Sequence, residues 1–194
     1  MINCIILSGG KSTRMGKDKA SLPFGDSFLL EYIVSQLKQV DEIKSIIIVS
    51  NNTNHYLDGT IGIEDSYTDS GPLGAIYTGL TNSDTLYNLV LSCDSPFFDK
   101  YLLVKLIESI PNFDCIVPVF LENEYYLMGI YSKNITPILK NQLLLKDFKL
   151  RNALNLCSIN FVDVNALEAK TFLNLNTDQE YQIALKILEN ENNR

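Results

Sequence analysis

Apolar runs of five to seven residues, each followed by a turn and then by helically spaced residues, recur along this 194-residue chain and constrain its fold most. INCII (2–6), SIIIVS (45–50), YNLVLSC (87–93) and DCIVPV (114–119) have the length and β-branched content of strands buried on both faces. Between them, FLLEYIVSQLKQV (28–40) places Leu30, Ile33, Val34, Leu37 and Val40 near one helical face, with Asp26 or Ser27 expected as its N-cap. SGPLGAIYTGL (70–80) opens with Pro72 as a helix start, and DKYLLVKLIESI (99–110) has Asp99 placed to cap it. YYLMGIYS (125–132), SINFVDV (158–164) and FLNLN (172–176) are further strand candidates, and the acidic turn LENE precedes the first of them. NITPILKNQLL, LRNALNL and a last segment from Thr177 to about Asn190 read as helices. Strands that alternate with helices imply an α/β sandwich with a largely parallel sheet, and no linker or repeat divides residues 1–194, so one domain is expected.

Composition excludes several functions. A net charge of −7 works against nucleic-acid binding, which demands a basic face. No apolar stretch reaches the ~18 residues of a membrane span, and no signal peptide is visible, so a cytoplasmic location is expected. Cys4, Cys93, Cys115 and Cys157 lie far apart without a C-x-x-C pair, which suits reduced thiols. His55 is the one histidine and reads as a loop residue, so zinc chemistry and histidine–carboxylate mechanisms have little to draw on.

Against that acidic background, LSGGKSTRMGKDKA (7–20) gathers Lys11, Arg14, Lys17 and Lys19 directly behind the first strand. Glycines at a strand end bring backbone N–H groups close to an anion, and a guanidinium fork matches phosphate oxygens. The spacing is neither that of a P-loop, because five residues separate Gly10 from Gly16 and Asp18 follows Lys17, nor the dinucleotide G-x-G-x-x-G.

The loop G-G-x-x-x-R-M-G with a following lysine resembles that of nucleotidyltransferases, and most of all the molybdenum cofactor guanylyltransferase family. IED (63–65), GPLGAI (71–76), LSCDSP (91–96) and FLNLNTDQE (172–180) extend the resemblance over nearly the whole chain. It departs from the family pattern at Tyr125–Tyr131, at Ser50 and at Asp178-Gln179, where acceptor contacts would be expected for the first and third. The resemblance implies a Rossmann-like three-layer sandwich of the nucleotide-diphospho-sugar transferase type, with a mixed central sheet. It also implies transfer of GMP from GTP, with Mg²⁺, to the terminal phosphate of molybdopterin carrying molybdenum. Cofactor-accepting molybdoenzymes or their chaperones would then be partners. A cytidylyltransferase of the same pterin, a sugar-phosphate nucleotidyltransferase and a non-catalytic nucleotide-binding module are the alternatives.

The same resemblance assigns Leu7, Ser8 and Gly9 to the nucleotide, Lys19 to the α-phosphate and Arg14 to the departing pyrophosphate. Asp65 would contact the base or ribose, although an aspartate there also serves a turn. Asp94, at the carboxyl end of an apolar strand, is the expected metal ligand. Asn174 and Asn176 match an acceptor-side pair, while Thr177 and Glu180 have the spacing of a capping box. The tyrosines at 125, 126 and 131 read as core.

Overall fold

A computed structural model describes residues 1–9 and 18–192. Arg14, with Gly10, Lys11 and Lys17, lies outside the described residues. The strands are β1 (Ile2–Leu7), β2 (Pro23–Phe24), β3 (Ser27–Phe28), β4 (Ile43–Val49), β5 (Ile61–Ile63), β6 (Tyr87–Ser92), β7 (Cys115–Phe120), β8 (Asn123–Glu124), β9 (Met128–Ser132) and β10 (Ile159–Asp163). The α-helices are α1 (Leu29–Leu37), α2 (Gly71–Asn82), α3 (Lys100–Glu108), α4 (Thr136–Leu144), α5 (Leu150–Leu154) and α6 (Asp178–Asn192).

The main sheet runs β10-β7-β9-β6-β1-β4-β5, with β8 paired on β7. β1 is parallel to β4 and β6, β4 to β5, and β7 to β10, whereas β9 is antiparallel to both β6 and β7. Alternation along the strands feeds two apolar layers. Cys4 and Ile6 of β1, with Ile46 and Ile48 of β4, face the layer that includes α1, α3 and α6. Ile5 and Leu7, with Ile47 and Val49, face the layer that includes α2, α4 and α5. Burial on both faces is why these strands read as continuous apolar runs. Helix α2 lies close against β1 at Gly79, where a Cβ would come within 2.4 Å of Ile5 Cγ2.

Asp99 caps α3 as expected, its carboxylate accepting from the Tyr101 N–H at 2.7 Å. Two local expectations fail. Asp26 turns the β2–β3 hairpin together with Gly25, which takes φ +63°, and Ser27 is the first residue of β3. Helix α1 therefore starts from Phe28, whose N–H donates to the Glu31 carboxylate at 3.0 Å. FLNLN is not a strand: a 3₁₀ turn covers Ala169–Phe172, and the extended residues after it cross the end of the sheet, with Leu175 N–H donating to the Asp94 carbonyl at 2.9 Å.

Candidate active site

Parallel strands bring their carboxyl ends to one edge, where the chain must turn and backbone groups are free to meet a ligand. β1 ends at Ser8-Gly9, β4 at Ser50-Asn51, β5 at Glu64-Asp65 and β6 at Cys93-Asp94. The reversed strand β9 presents its amino end to the same edge, and the Ser92 N–H donates to the Leu127 carbonyl at 3.2 Å.

Lys19 sits in the 3₁₀ turn Lys19–Ser21, which Asp18 caps by accepting from the Ala20 N–H at 3.1 Å. Its ammonium reaches Asp94 Oδ2 at 3.1 Å and Asn176 Oδ1 at 2.9 Å. Lys19 and Asp94 retain 19% and 15% of their side-chain exposure, so the pair is shielded but accessible. Asn174 Oδ1 accepts from the buried Ser95 hydroxyl at 2.8 Å. Half of the Thr177–Glu180 capping box forms: the Glu180 N–H donates to Thr177 Oγ1 at 3.2 Å, while Glu180 Oε2 accepts from the N–H of Asn176, one residue before the cap, at 2.9 Å. Asn176 thus starts the last helix through its backbone and holds Lys19 through its side chain.

Two cavities flank this cluster. The first, about 520 Å³, has apolar walls from Leu7, Val49, Pro72 and Ala75, with Gly9 and Asp65 at its polar margin. Asp65 Oδ1 already accepts from the Tyr67 N–H at 3.0 Å and from the Thr78 hydroxyl at 3.2 Å. A bidentate grip on a base edge would have to share that oxygen, so Oδ2 is the atom suited to a nucleotide. The second cavity, about 480 Å³, is lined by Asp94, Asn174, Asn176, Glu124, Tyr125 and Tyr126 among others. Ser92 and Leu127 line both cavities.

The tyrosines divide. Tyr131 is fully buried and donates to the Tyr126 carbonyl at 2.6 Å, which is the core role expected of it. Tyr125 packs on Phe172 with ring centroids 4.8 Å apart, yet it and Tyr126 also form the second cavity's wall. Burial and the adjacent Glu124 carboxylate push the Tyr126 phenol up to about 12, which keeps it a donor to Glu124. Their place on a cavity wall was hidden because strand-like alternation does not reveal which face meets a cavity.

His55 is also more than a loop residue. It is buried, with Nε2 2.6 Å from Asp18 Oδ2 and Nδ1 near the hydroxyls of Ser8 at 2.9 Å and Ser50 at 2.8 Å. Burial works to raise the Asp18 pKa, but the His55 contact, its charge and the Ala20 N–H outweigh it and hold the carboxyl below its ordinary value. Cys93, beside the cluster, is pushed up to about 12 by burial and by Asp94 and stays a thiol.

As donors, the described residues offer oxygens rather than a metal cage: no group of three or more His, Cys, Asp or Glu side chains converges among them. A single accessible carboxylate, Asp94, fits a hard divalent cation that keeps waters and takes its other ligands from a polyphosphate. It does not fit a tightly held structural metal.

The chain matches the family model described as the MobA-like NTP transferase domain over residues 4–160. It is 33% identical over 190 residues to a probable molybdenum cofactor guanylyltransferase of Clostridium perfringens, with 93% of this chain and 94% of that protein covered. A protein of the same description from Flavobacterium johnsoniae is 33% identical over 180 residues, covering 92% and 94%. In fold, the chain is similar to the molybdopterin-guanine dinucleotide biosynthesis protein A from Archaeoglobus fulgidus, with a TM-score of 0.83 at 19% identity over 97% of this chain and 100% of that one. The 2-C-methyl-D-erythritol 4-phosphate cytidylyltransferase of Thermus thermophilus shares the fold with a TM-score of 0.73 at 14% identity, covering 97% and 100%.

Proposed function

The chain belongs to the MobA-like NTP transferase family, and on that premise we propose that it transfers GMP from GTP to the terminal phosphate of molybdopterin carrying molybdenum, releasing pyrophosphate. The observation that carries this reading is the Lys19 ammonium, 3.1 Å from Asp94 and 2.9 Å from Asn176, two residues that line the second cavity, whose wall at Ser92 and Leu127 is shared with the first. A donor nucleotide and a phosphorylated acceptor need two such adjoining spaces.

The guanine and ribose lie in the first cavity between its apolar walls, with Asp65 Oδ2 accepting from the nucleotide. Leu7, Ser8 and Gly9 bring backbone to the nucleotide. The acceptor occupies the second cavity, bounded by Asn174 and Asn176. One oxygen of its phosphate attacks the α-phosphorus, a P–O bond forms, and the bond to the β-phosphate breaks with pyrophosphate taking the electron pair. That oxygen is already anionic at neutral pH, so alignment and charge neutralisation carry the rate rather than a general base. Lys19 leaves the Asp94 carboxylate to neutralise the non-bridging α-phosphate oxygens. Arg14 is assigned to the leaving pyrophosphate by family resemblance. Asp94 would hold Mg²⁺, which supplies charge neutralisation and orientation of the triphosphate when bound.

Incubation with Mg²⁺, molybdopterin carrying molybdenum, and GTP, CTP or ATP in turn, with pyrophosphate assayed, tests the reading. Release with GTP that depends on the acceptor is expected. Release with CTP alone would move the chain to the cytidylyl reaction, and none with any nucleotide would leave a binding module.

A further inference from the structure

We infer that His55 is a positioning residue, which sets the reach of the Lys19 ammonium through Asp18. The inference deepens the function proposed above and, where turnover is the readout, rests on it. The contacts form a chain in which every link is one residue. His55 stands in the 3₁₀ turn Thr53–His55, whose N-cap Asn52 accepts from the Asn54 N–H at 3.1 Å. Its Nε2 faces a carboxylate oxygen, an obligate acceptor, so the proton is on Nε2 and is donated to Asp18 Oδ2 at 2.6 Å. Asn52 Nδ2 donates to the same oxygen at 3.2 Å. The other oxygen of Asp18 caps the turn that starts with Lys19. From that turn the lysine reaches across to Asp94 and Asn176.

The far side of the ring is equally tied. Nδ1 lies 3.1 Å from the Ser8 carbonyl and within 2.9 Å of the Ser8 and Ser50 hydroxyls. Those serines directly follow β1 and β4, two interior strands of the sheet, and each is 1% exposed. The imidazole therefore references the Lys19 turn to the sheet itself. A lysine has four rotatable bonds and no preferred reach of its own, so the position of its backbone decides where its charge falls. Misplacement by about 1 Å costs on the order of 10²-fold in rate at a reacting centre. A buried ring whose two nitrogens serve different elements, one rigid and one functional, is built to transmit position.

The test separates position from mere support. In His55→Asn the shorter carboxamide stands where Nδ1 stood, which keeps the serine contacts and drops Asp18. In His55→Gln the amide reaches to where Nε2 stood and restores the Asp18 bond. Asp18→Ala removes the link from the other side at a half-exposed residue and keeps the fold accessible if the buried variant fails. Expected are about tenfold losses of kcat in His55→Asn and Asp18→Ala, a KM for GTP within about twofold, and partial recovery in His55→Gln, which regains Asp18 but not the serines. The double variant should fall about tenfold and not about a hundredfold, because both changes cut one connection. Reductive methylation of each lysine, followed by mass spectrometry, needs no turnover. Lys19 should become severalfold more reactive in Asp18→Ala and His55→Asn, while Lys44 is unchanged. Multiplicative losses, a His55→Gln as poor as His55→Asn, or unaltered Lys19 labelling would each overturn the inference. If the wild-type protein transfers no guanylyl group, the proposed function fails, and the labelling still decides the positioning.

Discussion

Replacing Lys19 by alanine separates charge stabilisation from structural support. Two unit charges 4 Å apart at an effective dielectric of about 20 interact by about 4 kcal/mol. Part of that exists already with bound triphosphate, so the share specific to the transition state is about 2.7–4 kcal/mol, the measured range for one preorganised donor, or 10²–10³ in kcat. Stability should change far less. The Lys19–Asp94 pair is 3.1 Å long with 19% and 15% of the two side chains exposed. It therefore lies between an exposed pair, worth ~0–1 kcal/mol, and a sealed one, whose breakage costs ~3–5 kcal/mol. Water can enter beside Asp94 and Asn176, which puts the loss at about 1–2 kcal/mol and the fall in Tm at about 2–8 °C for a chain of this size. Pyrophosphate release under saturating GTP and acceptor, run beside a thermal melt, measures both. Magnesium affinity should hold or rise, because Asp94 loses the cation that competes for it. Wild-type kcat would remove Lys19 from the mechanism. A melt lowered by more than about 10 °C, with kcat intact in the remaining folded protein, would make it a strut.

Asp94→Ala should abolish transfer while GTP binding by calorimetry survives in part, since Asp94 does not line the first cavity and Lys19 keeps its bond to Asn176; normal turnover would place the metal elsewhere. Asp65→Asn should narrow a preference for GTP over CTP by about tenfold or more in direct competition, the scale of a hydrogen bond to a charged group at about 1.5–3 kcal/mol; an unchanged ratio would free Asp65 from base recognition. The depressed Asp18 carboxyl contributes stability that is full above the unfolded aspartate value of about 3.9 and lost as pH falls through its lower folded value. The Tm difference between wild type and Asp18→Ala should therefore be present at pH 7 and shrink below pH 4, and a difference independent of pH would show that charge plays no part. Cys157, whose pKa is lowered by the hydrogen bond from Cys115, should be alkylated before the three buried cysteines, as read by mass spectrometry at neutral pH.

Elements buried on both sides were the easiest to read. β1, β4 and β6 lie where their apolar runs put them, because a strand covered on two faces has little choice of composition. Asp99 was legible because capping is local, spanning two residues. The start of α1 was not, since the hairpin before it claims Asp26 and Ser27 and leaves the cap to a backbone N–H. FLNLN has strand composition, but its backbone pairs with the turn after β6 rather than with a neighbouring strand. In the site, Lys19, Asp94 and Asn176 carried sequence signals and meet within 3.1 Å. His55 and Asp18 are 37 residues apart, and nothing in either segment names the other. Their signal was present only in hindsight of the fold: a lone histidine in a polar turn, and an aspartate where a phosphate loop would favour positive charge.

The reversal of β9 has an evolutionary consequence. In a uniformly parallel sheet each strand hands the edge its own following loop, and the loops are inherited with the strands that carry them. Here the hairpin turned by Leu121 at φ 47° and Glu122 at φ 64° joins β7 to β8 and leads on to β9, and it brings Asn123–Tyr126 to the second cavity. Ser8, Ser50 and Asp94 hang from other strands. Such a hairpin can lengthen, shorten or exchange its side chains without touching the register of the strands that carry Ser8, Ser50 and Asp94. Tyr125–Tyr131, the stretch read from the sequence as a departure from the family pattern, begins directly after β8. Under the proposed function, a lineage built this way can change what it accepts while leaving intact what it donates.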